Sequence, residues 1–94
     1  MTLEKLIKEE GATIVDVRTI GEFQGGNVAG SINIPLNEVP NRMDELKGLK
    51  APLILCCASG GRSGQATQYL QQQNIECYNG GSWVDVNYAQ SQTV

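Results

Sequence analysis

Apolar positions along the chain follow two rhythms. Residues 53–56 form a continuous apolar run, and residues 13–17 are mostly apolar, as expected of strands covered on both faces. Residues 31–34 alternate like a strand closed by Pro35, and residues 75–78 form a further short strand. Between these runs, apolar residues recur at spacings of three and four: Leu3, Leu6 and Ile7; Met43 and Leu46; Ala66, Tyr69 and Leu70. That spacing predicts helices, with Gln71, Gln72 and Gln73 on an outer face. Punctuation agrees. Thr2 caps the first helix and Gly11 stops it, a helical turn over 19–23 ends at Gly25-Gly26, and Gly48 follows a helix over 39–47 with Pro40 in its first turn. A helix over 63–73 comes next, Asn79-Gly80-Gly81 turns the chain, and Ser82 with Asp85 forms a capping box for a last helix. Strands alternating with helices predict an α/β fold, a small, mainly parallel sheet with helices on both faces. Residues 1–94 show no repeat or linker, so one domain is expected.

Composition narrows the functions open to such a domain. A net charge of −3 argues against nucleic-acid or anionic-membrane partners, so any anion site must be local. No stretch is long and apolar enough to cross a bilayer, and the first residues lack the apolar region of a signal peptide. Three cysteines cannot all pair internally, and a bridge between the adjacent Cys56 and Cys57 is strained. A reducing, cytoplasmic setting is therefore expected, although an export signal cleaved ahead of residue 1 is compatible with the same sequence. The chain has no histidine, which removes Ser-His-Asp triads, zinc fingers and HExxH sites. No metal or cofactor is expected.

Against that background the run from Cys57 through Ala58, Ser59, Gly60, Gly61, Arg62 and Ser63 stands out. A cysteine at the end of a buried strand is followed by small residues and then by a helix start. Glycines permit a tight path on which successive N–H groups turn inward, and the helix N-terminus adds partial positive charge. Such a cradle lowers a thiol pKa, and without histidine electrostatics alone must activate the sulfur. Arg62 in a first helical turn is poorly placed unless an anion compensates it. Cys56 points opposite to Cys57 on an extended strand and, like Cys77, is expected in the core, as are Trp83 and Tyr88. Asp16 and Arg18 are expected to form a supporting network in which Arg18 reaches Glu22 at helical spacing.

The same residues, in order, resemble the rhodanese family of sulfurtransferases over essentially the whole chain. Ile14-Val15-Asp16-Val17-Arg18 with Glu22-Phe23 resembles its first motif, and residues 26–35, from Gly26 to Pro35, its second, with Asn27 and Ala29 where His and Pro are common. Residues 57–63 resemble the active-site loop, and Gly80-Gly81 with Trp83 the closing element, where a longer gap before the tryptophan is usual. The resemblance implies a rhodanese-like fold with Cys57 as nucleophile. Cys57 would take the outer sulfur of thiosulfate or a similar anionic donor as a persulfide and give it to cyanide, a thiol or a sulfur-acceptor protein. It also implies that Ala58, Ser59, Gly60, Gly61 and Ser63 hold the sulfur while Arg62 orients donor oxygens. Two alternatives stay open: a cysteine phosphatase built on Cys56-(x)5-Arg62, and a persulfide-carrier or interaction module.

Overall fold

The computed structural model describes residues 2–92. Helix α1 (Leu3–Glu10) starts where Thr2 Oγ1 accepts the Lys5 N–H at 3.2 Å, and ends at Gly11 in the left-handed conformation. Strand β1 (Thr13–Asp16) leads to α2 (Ile20–Gln24), and β2 (Ile32–Asn33) to a 3₁₀ helix (Leu36–Arg42) and α3 (Met43–Lys47). Then follow β3 (Leu53–Cys57), α4 (Gly61–Gln72), β4 (Cys77–Ser82) and α5 (Trp83–Ser91). The four strands run parallel in the order β2-β1-β3-β4.

Strand alternation sorts the core into two layers. Val15, Val17, Leu53, Leu55 and Cys57 pack on one face with Val39, Leu46, Ala66 and Leu70, beneath the 3₁₀ helix, α3 and α4. Ile14, Ile54 and Cys56 face the other way, against Leu6 of α1 and Val86 of α5. Helices therefore cover both faces, and every residue of β3 is buried. The predicted α/β architecture is the observed one.

Local expectations needed three corrections. The helix expected over 39–47 is α-helical only from Met43, because Pro40 has no N–H for the Leu36 carbonyl and its ring crowds that oxygen. The preceding stretch winds as a 3₁₀ helix instead. Second, Asn79-Gly80-Gly81 does not turn the chain, and the last strand spans 77–82 rather than 75–78. Leu55 pairs with Asn79 but Cys56 pairs with Gly81, so Gly80 is the extra residue of a β-bulge. A Cβ on Gly80 would lie 2.7 Å from Val86 Cγ2 and 2.8 Å from Ile54 Cγ2, so only glycine lets α5 pack this close. Third, Tyr88 is no packing residue: it is 65% exposed on α5. Trp83 does pack against the Ile14–Cys56 layer.

Candidate active site

Strand β3 delivers two neighbouring thiols into opposite environments. Cys56 is fully buried beneath α1 and α5, where burial, followed by the nearby Asp16 charge, pushes its pKa up to about 12. Cys57, one residue on, ends the strand beneath the loop that opens α4. Gly60 takes a left-handed conformation, φ +102°, directly before that helix, a path that favours glycine. Its N–H donates to Cys57 Sγ at 3.0 Å, the Ser63 N–H at 3.5 Å and the Ser63 hydroxyl at 3.4 Å. Burial alone would raise the Cys57 pKa. Hydrogen bonds from the Ser63 hydroxyl and from the N–H groups of Ser63, Ser59 and Gly60 outweigh it and bring the thiol down to about 7. Cys57 is 1% exposed, whereas Ala58, Ser59 and Gly61 are exposed parts of the same loop. The sulfur thus forms the floor of a shallow N–H-lined cradle. The ring closes on Cys57 and not on Cys56, which argues against the phosphatase spacing counted from Cys56.

Asn79, a residue that sequence reasoning read only as part of a turn, latches this loop to the bulge of β4. Its Nδ2 donates to the Gly60 carbonyl at 3.1 Å, and its Oδ1 accepts the Ser63 hydroxyl at 2.7 Å and the Gly81 N–H at 3.0 Å. The Ser63 hydroxyl has one proton for two acceptors, Asn79 Oδ1 and Cys57 Sγ, and a thiolate draws it toward sulfur. An asparagine before paired glycines signals a turn, and that stronger local signal hid the latch.

Arg62 is held by a carboxylate from another element. Its Nη1 and Nη2 donate to Glu22 Oε1 and Oε2 at 2.7 and 3.0 Å, a bidentate pair between α4 and α2. Arg62 foremost, and then the Thr19 N–H, hold the Glu22 carboxyl down to about 2. Glu22 is also the third helical residue of α2 and closes a capping box with Thr19. The expected Arg18–Glu22 ion pair is therefore replaced. The nearly buried Arg18 fans onto Asp16, with Nε 3.0 Å from both carboxylate oxygens and Nη2 2.7 Å from Oδ2, and reaches only the backbone carbonyl of Glu22. A neighbour two residues away on an extended chain end reaches the guanidinium before a helical partner does. Arg18 also donates to the Gly26 carbonyl at 2.6 Å and lies 4.8 Å from the centre of the Trp83 ring. Asp16 and Arg18 thus tie β1 to α2 and α5, beside the cradle rather than in it.

Residues 2–85, nearly the whole chain, match the model of the rhodanese-like domain. The chain belongs to the rhodanese family. Among curated rhodanese relatives it is 41% identical to uncharacterized protein YqhL of Bacillus subtilis, over 72% of this chain and 54% of that one. It is 34% identical to a sulfurtransferase of Allochromatium vinosum, over 74% of this chain and 64% of that protein. The chain spans little more than half to under two thirds of these relatives' lengths. A rhodanese-related protein of Thermoplasma volcanium superposes with a TM-score of 0.77 at 28% identity, over 94% of this chain and 88% of that one. The four-stranded parallel sheet with helices on both faces is the rhodanese fold.

Proposed function

We propose that the chain is a sulfurtransferase domain that carries sulfane sulfur as a persulfide on Cys57. The observation that carries this reading is the convergence of Gly60 and Ser63 donors on Cys57 Sγ, with the thiol brought down to about 7. A substantial share of the sulfur is then thiolate at neutral pH without a histidine base. The thiolate attacks the outer sulfur of thiosulfate; the S–S bond of the donor breaks, and sulfite leaves with the bonding pair. The resulting Cys57 persulfide is itself anionic, and the N–H groups of Ser59, Gly60 and Ser63 are positioned to hold it as an oxyanion hole holds oxygen. Cyanide, or a thiolate of a small molecule or acceptor protein, attacks the terminal sulfur and returns Cys57 to thiolate. With cyanide the product is thiocyanate. Ala58 and Gly61 complete the loop, and Arg62 orients donor oxygens. A sulfurtransferase among the relatives supports the same activity. The three free cysteines suit a reducing compartment such as the cytoplasm.

Intact-protein mass after brief exposure to thiosulfate tests this reading. Wild type and Cys56→Ala are expected to gain one sulfur atom that cyanide removes, and Cys57→Ala to gain none. No gain in the wild type, or a gain that follows Cys56, overturns it.

A further inference from the structure

The guanidinium that should greet an anionic donor is already occupied. Glu22 binds Arg62 through both carboxylate oxygens, in the two-pronged geometry that an incoming oxyanion would itself use. The pair lies at the molecular surface, Arg62 being 35% and Glu22 38% exposed, where a solvated anion can compete for it. Glu22 is not orphaned if Arg62 leaves: Oε1 still accepts the Thr19 N–H and the Thr19 hydroxyl, both at 3.1 Å. Arg62, on the first turn of α4, would in turn find an anion seated over the Cys57 cradle. The two partners therefore have a second set of contacts waiting, and exchange strands neither charge.

We propose that Glu22 is a specificity-determining residue: an internal carboxylate that competes with oxyanionic sulfur donors for Arg62. It thereby tilts the loop away from small anions such as thiosulfate and toward donors that present sulfur without an adjacent oxyanion. The inference deepens the sulfurtransferase reading and rests on Cys57 being its reactive thiolate. An exposed pair of this kind is weak, and its bidentate geometry puts it in the upper part of what exposed pairs contribute, so its loss should change anion use by roughly two- to five-fold.

The test compares alkylation of Cys57 by anionic iodoacetate and neutral iodoacetamide. In each, the thiolate displaces iodide from the same carbon, so the rate ratio cancels thiolate fraction and isolates attraction of the anion. Glu22→Gln keeps a residue that can close the capping box and should raise the iodoacetate-to-iodoacetamide ratio about two- to five-fold. In the same variant KM for thiosulfate should fall by a similar factor, with kcat changed less. Arg62→Gln should lower the ratio, and the Glu22→Gln/Arg62→Gln double variant should match Arg62→Gln alone. An unchanged ratio in Glu22→Gln overturns the proposal. So does an equal rise in the Arg62→Gln background, since Glu22 would then act by simple charge repulsion. The expected ratios without sulfur transfer from either thiosulfate or a low-molecular-weight persulfide leave the competition standing and sink the sulfur-transfer reading. Alkylation that does not favour Cys57 over Cys56 and Cys77 sinks both.

Discussion

At the scale of single residues, the contrast between Cys56 and Cys57 shows how far environment outweighs side-chain type. Both are cysteines at the end of β3, yet one thiol is pushed up to about 12 and the other brought down to about 7. Iodoacetamide modification of the wild type should therefore reach half its maximal rate near pH 7. Ser63→Ala removes the largest of the contributions that lower the pKa, so its half-maximum should move to higher pH. A profile unmoved by that substitution would assign the effect to the backbone N–H groups alone. The sequence exposed Cys57, its glycines and Arg62 because small residues between a strand and a helix have few other uses. It did not expose Glu22 as the partner of Arg62. They are 40 residues apart, and a surface glutamate at the third position of a helix already has a sufficient local explanation in the cap of Thr19.

Elements were legible where a single periodicity spoke and misleading where local punctuation competed with tertiary pairing. Strand β3 and helices α1 and α4 follow from their apolar spacing. Strand β4 does not, because Asn79-Gly80-Gly81 carries every mark of a turn while the sheet recruits it as a bulged edge strand. The reason lies outside the segment, in Val86 and Ile54, which press against the missing side chain of Gly80. Gly80→Ala should lower stability by about 1–3 kcal/mol, read from the denaturant midpoint, because the added methyl overpacks that contact. Helix α2 offers a separate check. Thr19→Ala removes the hydroxyl that accepts the Glu22 N–H and should cost about 1 kcal/mol. A cost well below that would mean that the Arg62–Glu22 pair, rather than the cap, anchors α2.

Over the molecule as a whole, charge inside the fold is expensive and pH-dependent. The Asp16–Arg18 pair is almost completely buried, so removing one partner leaves the other uncompensated. Asp16→Ala should destabilise by about 3–5 kcal/mol, whereas breaking the exposed Arg42–Glu45 pair should change stability little. Cys57 sets a signature in the opposite direction from an ordinary buried thiol. Its pKa falls from 9.0 in the unfolded chain to about 7 in the fold, so its stabilisation is absent below pH 7, grows between 7 and 9, and is complete above 9. The midpoint difference between wild type and Cys57→Ala should rise over that interval and then level off; a flat difference would contradict the cradle. Cys56 and Cys77, raised to about 12 and about 11, act the other way, and what they contribute is lost as pH climbs beyond 9. Cys57 is therefore more acidic than the other two sulfurs by roughly four to five decades. A spectroscopic label or an electrophilic inhibitor offered near neutrality needs no engineered cysteine-free background, because the fold has already chosen its point of attachment.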